Sequence, residues 1–150
     1  MTLTTPPSEH KTCLAKQERA LALLFPKNFV KDNLYKQLLQ IGRTAKPFPK
    51  EFLTKENLVL GCQNDLYLHS EFRDNALFFF TYTEALISSG IAVLFSDIYS
   101  GETPETILTC KPLFFEKLSE HLSMGRSHGG ESLFLNMQRI AVQYLTRKTL

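Results

Sequence analysis

A cysteine that follows a short apolar stretch is the side chain in this sequence best suited to chemistry. Cys62 lies in the run VLGCQN (residues 59–64), at the point where a strand would end and a turn begin. The glycine before it lets the backbone bend, so the thiol is expected at the tip of a turn. A thiolate is a nucleophile, and backbone N–H groups or a nearby cation can lower the pKa of a thiol. The pattern predicts thiol chemistry or sulfur transfer at Cys62; the alternative is a small side chain that only fills space.

The two other cysteines are interpreted as inert. Cys13 lies at the edge of a polar N-terminal segment, and Cys110 ends a short helix predicted after Thr103. Free cysteine is commonly a small apolar side chain without a reactive role. Three cysteines are an odd number and are widely spaced, which argues against a disulfide framework and favours a reducing cytoplasm.

An arginine within a glycine-rich stretch is the second candidate for the site. Arg126 lies among Gly125, Gly129 and Gly130, in a segment predicted to be a turn. A guanidinium close to Cys62 would favour a thiolate or a persulfide anion. The alternative is an exposed arginine that contributes to solubility, and the sequence alone does not bring Arg126 close to Cys62.

Two other kinds of site have weaker support. A hydrolase nucleophile at Cys62 needs a histidine base, but no local motif supports one, and His69 is predicted to face solvent on a strand. A structural zinc site usually has two closely spaced pairs of ligands, whereas only His10 and Cys13 have such a spacing. The more distant residues that could join the metal site are Cys62, Cys110, His121 and His128, and the last two could also serve as the hydrolase base.

The composition predicts one globular domain. The chain has 150 residues, of which 43% are hydrophobic and 12 are phenylalanine, enough to bury a core. Its 17 basic and 15 acidic residues are spread along the chain with a net charge of +2, which argues against nucleic-acid binding. The most apolar stretch, residues 91–95, is far too short to span a membrane, and no secretory signal is recognised. We predict a disordered tail over residues 1–12 and a single domain over residues 13–150.

The hydrophobic pattern predicts helices, then a sheet, then helices again. The first helix is expected over residues 16–25 and the last over residues 131–147. This order is typical of the α+β class, with a small three-stranded antiparallel sheet against which the helices pack. The three strands are expected over residues 58–60, 66–72 and 76–82.

Several short motifs in a fixed order resemble the SufE family. They are the run GCQ (residues 61–63), the alternating strand that follows it, the run YSGETPE (residues 99–105) and the run RSHG (residues 126–129). SufE proteins are sulfur acceptors for PLP-dependent cysteine desulfurases in iron–sulfur cluster assembly. The resemblance extends from Tyr35 to Ile140, which is most of the chain.

The resemblance implies a role for each residue of the site. Cys62 would accept sulfur and carry it as a persulfide. Gly61 and Gln63 would shape the loop that holds Cys62. Arg126 and Gly129 would match the Arg-x-x-Gly sequence of the family, with Arg126 either stabilising the anionic sulfur or contacting the desulfurase.

The resemblance also implies partners and a setting. The chain would take sulfur from a cysteine desulfurase, stimulate that enzyme and pass the sulfur to an iron–sulfur scaffold complex, as a transfer partner rather than an enzyme by itself. It would need no cofactor and no metal, and would act in the cytoplasm without nucleic acid or membrane; a homodimer is left open. Two alternatives remain: a module that activates a desulfurase without carrying sulfur, and a Cys–His hydrolase.

Overall fold

The computed structural model describes residues 7–149 of the chain, with side chains from residue 11 to residue 146. Within this range, α-helices flank one two-stranded antiparallel sheet, and two short 3₁₀ turns (Lys50–Phe52 and Lys55–Asn57) precede the sheet. The elements in chain order are α1 (Pro7–Leu24), α2 (Lys31–Gly42), β1 (Tyr67–Arg73), β2 (Ala76–Tyr82), α3 (Leu86–Tyr99), α4 (Pro104–Thr109), α5 (Leu113–Ser119) and α6 (Met124–Thr149).

The predicted α+β class is confirmed, but the predicted third strand is wrong. Leu58 makes one isolated bridge to Tyr67, and the N–H of Val59 donates to the carbonyl of Leu66 at 2.8 Å. The pairing ends there because a 3₁₀ turn comes directly before Leu58, and Gly61 leaves the extended conformation with a φ of +96°. The segment before Cys62 is therefore a loop that touches the sheet at one point.

The hairpin of β1 and β2 places one apolar face on the helices. Asp74 and Asn75 link the strands with φ angles of 54° and 64°, the left-handed pair that a two-residue type I′ turn requires. The predicted alternation is confirmed, since Leu68 on β1 and Leu77 and Phe79 on β2 are buried on the same face. This face packs on α3, the most continuously buried helix.

Helix α3 also packs closely on α2. Gly90 of α3 lies against the backbone of Leu38, and a Cβ at position 90 would overlap the carbonyl oxygen of Leu38. Glycine is favoured here because the two helix backbones approach each other too closely for a side chain between them. The pair α2 and α3 thus forms the rigid centre of the domain.

The N-terminal helix begins earlier than the sequence pattern indicates. Residues 7–12 of the predicted disordered tail belong to α1, and residues 1–6 lie outside the described residues. Polar residues in this stretch concealed the helix, whose inward face carries Cys13 and Gln17. The Gln17 amide donates to the carbonyl of Lys111 at 2.8 Å and accepts from the N–H of Phe114 at 2.9 Å, so α1 satisfies the backbone where α5 begins.

The last helix also begins earlier, and this changes the nature of the site. Residues 126–130, predicted to be a turn, lie within the first turns of α6. Ser123 caps the helix: its hydroxyl accepts from the N–H of Arg126 at 3.3 Å, and its carbonyl accepts from the N–H of Ser127 at 2.9 Å. The glycines were misread because glycine usually weakens a helix by about 1 kcal/mol relative to alanine.

The length and composition of a helix decide whether it could span a membrane. None of the helices in the described part of the chain combines the length and the apolar character needed to cross a bilayer.

Candidate functional site

Cys62 lies in the loop before β1 with its side chain turned towards α6. The thiol is half-buried and packs against the edge of the hydrophobic core. Its Sγ lies 3.7 Å from the carbonyl oxygen of Gly129, to which the S–H can donate. Gly61 lets the chain turn at this point, because its φ of +96° is one that residues with side chains rarely adopt. The thiol therefore lies under the loop, whereas the sequence predicted an outward-pointing turn tip.

Two glycines of α6 form the surface on which this loop rests. Gly125 and Gly129 are four residues apart and so lie on the same face of the helix, one turn from each other. A Cβ at position 125 would overlap the side-chain amide of Gln63, and a Cβ at position 129 would come within 3.5 Å of the Cys62 sulfur. Because glycine has no side chain, the loop can approach the helix closely at these two positions. Gln63 and Cys62 thus pack against α6 at Gly125 and Gly129, one helical turn apart.

A small pocket encloses the thiol. Its volume is about 30 Å³, which is room for one sulfur atom or for one or two water molecules. The loop, the first turns of α3 and the first turns of α6 form its walls. The lining residues are Cys62, Gln63, Asn64, Leu66, Thr83, Ser88, Ile91, Ala92, Gly125, Arg126, Gly129, Gly130 and Leu133.

The pocket brings together four of the five residues that the sequence singled out. Cys62, Gln63, Arg126 and Gly129 all line it, and Gly61 precedes the cysteine. Arg126 reaches the pocket because it lies on the first turns of α6, beside the glycine face. Residues of the loop and of α6 that lie far apart in the chain thus line one small cavity.

The protonation state of Cys62 is set by its burial. Desolvation raises the pKa of the thiol above its ordinary value, because a thiolate would lose the solvation that water provides. In the closed loop the sulfur is a neutral thiol, contrary to the lowered pKa that a turn tip would allow.

Within the described residues, no histidine makes the hydrogen bond to Cys62 that a hydrolase base needs. His69, predicted to face solvent, is half-buried and stacks on Phe52 with 3.7 Å between ring centroids. His121 packs against Phe25 and Phe29. His128 lies near Gly61, but within the described residues no histidine is hydrogen-bonded to the Cys62 sulfur, whose partner is the Gly129 carbonyl.

The structure gives no support to a metal site either. Between residues 7 and 149, no group of three or more His, Cys, Asp or Glu side chains is placed to hold a metal ion. Of the two predicted closely spaced ligands, Cys13 is buried in contact with Cys110, and the side chain of His10 lies outside the described residues.

Sequence reasoning missed the wall that α3 contributes and three exposed apolar side chains that are close in sequence to lining residues. Thr83 and Ser88 line the pocket beside the cysteine. Three exposed side chains each lie within two residues of a lining residue: Leu60 (77% exposed), Leu86 (70%) and Met124 (90%). We refer to these three as the apolar rim.

The sequence did contain one signal for the true position of Arg126. Ser123 precedes an apolar-periodic segment, and a serine in that place marks a helix start, which would have placed Arg126 on a helix.

Comparison with known proteins gives a consistent result. The family described as SufE, Fe-S metabolism associated domain, matches residues 22–141. The chain is similar to the "Cysteine desulfuration protein SufE" of Plasmodium falciparum, with 29% identity over 100 residues, covering 62% of this chain and 40% of that protein. It is also similar to the protein of the same name from Wigglesworthia glossinidia brevipalpis, with 29% identity over 118 residues, covering 73% of this chain and 81% of that protein. The resemblance seen in the sequence motifs is confirmed.

The fold is also found among solved structures. The solution structure of a hypothetical protein from Thermus thermophilus superposes with a TM-score of 0.72 and 24% identity, covering 95% of this chain and 99% of that one. At this identity the similarity establishes the fold and nothing about function. The chain spans less than half of the Plasmodium relative, so the activity of that whole protein does not transfer with the match.

Proposed function

Since the chain belongs to the SufE family, we propose that it accepts sulfur from a PLP-dependent cysteine desulfurase on Cys62 and passes it to an iron–sulfur scaffold. The observation that supports this most strongly is the pocket around the thiol. A volume of about 30 Å³ next to Cys62 has room for one additional sulfur atom. The sheltered position would protect a bound persulfide from cellular reductants.

The first step is a thiol exchange at sulfur. The Cys62 thiolate attacks the outer sulfur of a persulfide on the desulfurase, and a new S–S bond forms as the old one breaks. The desulfurase cysteine leaves with the electron pair as a thiolate, and Cys62 holds the persulfide. No oxidant or reductant is consumed, and the rate depends on thiolate fraction, leaving-group pKa and access.

The closed loop must open before this step takes place. Cys62 is half-buried and its thiol pKa is raised by burial, so both access and ionisation are poor in the closed loop. Val59 and Leu66 anchor the two ends of the loop in the core, and between them the loop lies against the glycine face of α6, where the Cys62 thiol can donate to the Gly129 carbonyl. Displacement of the loop would expose the sulfur and lower its pKa, which couples reactivity to the arrival of a partner.

The apolar rim supplies a surface on which that partner can dock. Leu60, Leu86 and Met124 come from three different elements and are each more than two thirds exposed. Large apolar side chains that are left exposed are typical of a protein interaction surface. Contact of the desulfurase with Leu60 would displace the loop directly, because Leu60 is two residues from Cys62.

Arg126 acts after the loop opens. Arg126 lines the pocket, and its guanidinium, once turned towards the exposed sulfur, would favour an anionic persulfide over a neutral one. The scaffold cysteine then attacks the outer sulfur as a thiolate, the S–S bond breaks, and the Cys62 thiolate leaves with the electron pair. Stabilisation of that leaving thiolate by Arg126 assists the second transfer.

The experiment is mass spectrometry of the protein after incubation with a desulfurase and cysteine. We expect a gain of about 32 Da, one sulfur atom at the thiol, on the tryptic peptide of residues 56–73, which contains Cys62 and no other cysteine. Cys62→Ser should show no gain anywhere. Equal labelling of this variant would reject the carrier role. If Cys62→Ser still accelerates the desulfurase, the chain also acts as an activating module through its rim.

A further inference from the structure

The two cysteines outside the site are in direct contact with each other. Cys13 on α1 and Cys110 at the end of α4 are 97 residues apart in the sequence, yet their sulfur atoms lie 2.7 Å apart. A disulfide bond is about 2.05 Å long, so a small movement of the two side chains would close one. Both are free thiols in this structure.

The surroundings hold this pair in place. Cys13 and Cys110 are both buried, with exposed fractions of 0% and 5%. The Gln17 amide lies 3.5 Å from the Cys110 sulfur and also donates to the backbone of Lys111. The hydroxyl of Tyr99 donates to the carbonyl of Cys110 at 2.6 Å. The backbone at Cys110 and Lys111 is therefore held by hydrogen bonds from Tyr99 and from Gln17, and Gln17 lies one helical turn after Cys13 on α1.

The proposed sulfur transfer does not involve this pair of cysteines. Neither residue lines the Cys62 pocket, and the two belong to elements that do not form it. We propose that Cys13 and Cys110 are a redox-sensitive thiol pair that closes to a disulfide in the presence of a hydroperoxide, linking α1 covalently to the junction of α4 and α5.

The chemistry balances with a hydroperoxide as the oxidant. One thiolate attacks a peroxide oxygen, the O–O bond breaks, and the cysteine becomes a sulfenic acid as hydroxide leaves and takes up a proton to form water. The second cysteine attacks this sulfur as a thiolate, an S–S bond forms, and the hydroxyl leaves as a second water. Overall, two thiols and one hydrogen peroxide give one disulfide and two waters, and the two thiols together lose two electrons.

Local opening of α1 controls the rate. Burial raises the pKa of the Cys13 thiol well above its ordinary value, and hydrogen bonding to Cys110 acts in the same direction. A buried neutral thiol reacts slowly with peroxide, so oxidation proceeds through molecules in which the first turns of α1 are transiently detached. Once formed, the disulfide prevents that detachment.

The expected consequence is a more stable and less mobile N-terminal helix. The disulfide would close a loop that spans residues 13–110, and long loops gain the most from a cross-link. The melting temperature should rise by about 5–15 °C on oxidation, given the size of this chain.

Peptide mapping of the full-length protein under non-reducing conditions tests the proposal. The three cysteines fall in three different tryptic peptides: residues 12–16, 56–73 and 74–117, the last of which runs past Lys111 because a proline follows it. After treatment of reduced protein with hydrogen peroxide and alkylation of the remaining thiols, we expect residues 12–16 linked to residues 74–117, with a loss of about 2 Da for the two hydrogens removed. The melting temperature should rise in the same sample and fall again after dithiothreitol.

Two variants provide the controls. Cys13→Ser should lose both the linked peptide and the rise in melting temperature. Cys62→Ser should keep both, because Cys62 takes no part; this separates the proposal from sulfur transfer, which depends on Cys62 alone. The proposal is overturned if Cys13 and Cys110 remain alkylated separately after peroxide, if Cys62 replaces either of them in the link, or if the link forms with no rise in melting temperature.

Discussion

The Cys62 thiol lies 3.7 Å from the carbonyl oxygen of Gly129, across a face of α6 that carries no side chains. The sulfur is half-buried at this contact, and its burial raises the pKa of the thiol. Reactivity must therefore come from a change in the position of the loop.

The pH dependence of alkylation tests the protonation state of Cys62. Because burial raises the pKa of this thiol in the fold, its reaction with iodoacetamide should rise at higher pH than the same reaction of a free peptide of residues 56–73. The neutral thiol stabilises the fold below the unfolded pKa, and this contribution is lost as the pH rises through the higher folded pKa. The measurement is the alkylation rate of Cys13→Ser/Cys110→Ser protein between pH 6 and pH 11, roughly two units either side of an ordinary thiol pKa. A profile at lower pH than that of the peptide would contradict the closed loop.

The three glycines of α6 should respond differently to alanine. Gly129→Ala should raise the stability by about 0.5–1 kcal/mol, because its Cβ meets the Cys62 sulfur at an ordinary 3.5 Å and alanine favours the helix. Gly130→Ala should lower the stability by about 1–3 kcal/mol, because its Cβ would overlap the buried ring of Phe115. Chemical denaturation measures both changes.

Gly125→Ala should separate stability from loop position. Its Cβ would overlap the flexible end of Gln63, which can swing into solvent, so we expect little change in stability. The displaced Gln63 should loosen the loop and speed the alkylation of Cys62 several-fold, a change that Gly129→Ala should not produce. An unaltered alkylation rate in Gly125→Ala would show that Gln63 does not hold the loop closed.

Arg126→Ala should slow sulfur acceptance by roughly tenfold, the effect of about 1.4 kcal/mol on the transition state. Arg126 lines the pocket that holds the sulfur, and its half-buried position outside the core means that the melting temperature should barely change. Single-turnover transfer from a persulfidated desulfurase provides the rate. Arg126→Lys should recover part of it through the charge alone, whereas Arg139→Ala, an exposed position further along α6, should have no effect. Equal rates for Arg126→Ala and the parent protein would make Arg126 a surface residue.

Leu86→Ser should weaken desulfurase binding by roughly 1–2 kcal/mol, the value of burying an exposed leucine at an interface. Leu86 belongs to the apolar rim, and its 70% exposure in the free protein means that the substitution should leave the fold intact. Leu23→Ser on α1, 47% exposed and outside the rim, is the matched control. Calorimetric titration of the desulfurase with each variant gives the dissociation constants, and similar weakening by both variants would place the interface elsewhere.

Gln17→Ala should lower the free energy of unfolding by about 2–4 kcal/mol, because it leaves the carbonyl of Lys111 and the N–H of Phe114 without their partner. The exposed neighbour Glu18→Ala should change it by less than about 0.5 kcal/mol. Thermal and urea unfolding compare the two variants. A small effect of Gln17→Ala would mean that water replaces the amide when α1 shifts.

Some of this fold could be predicted from the sequence, and the failures have physical causes. The alternation along β1 and β2 was predictable because one face of the hairpin is buried and the other is not. The start of α4 was predictable because Thr103 is a helix cap, and its hydroxyl accepts from the N–H of Thr106 at 3.2 Å. The start of α1 was missed because its first turns are polar, and the start of α6 was missed because its glycines have a low helix preference, although Ser123 provides a cap.

The candidate site also combines features that the local sequence predicts with features that it does not. Cys62 and its glycine could be recognised from local sequence, because a turn with a positive φ selects glycine directly. The burial of the thiol could not be predicted, because it depends on the packing of α6 against the loop. The two residues in contact, Cys62 and Gly129, are 67 positions apart in the chain. The contact of Cys13 with Cys110 was missed for the same reason, as nothing local marks two cysteines that meet across the core.

The close approach of Gly90 to the Leu38 backbone has a consequence for the timescales of motion. Amide hydrogens of α2 and α3 at this crossing are shielded by the largest helix–helix contact in the described part of the chain, so they should exchange with solvent only when the whole domain unfolds. The amides of residues 60–65 are outside any helix or strand and should exchange through small local openings, many orders of magnitude faster. The cysteine loop can therefore open and close repeatedly for sulfur transfer while the centre of the domain remains folded.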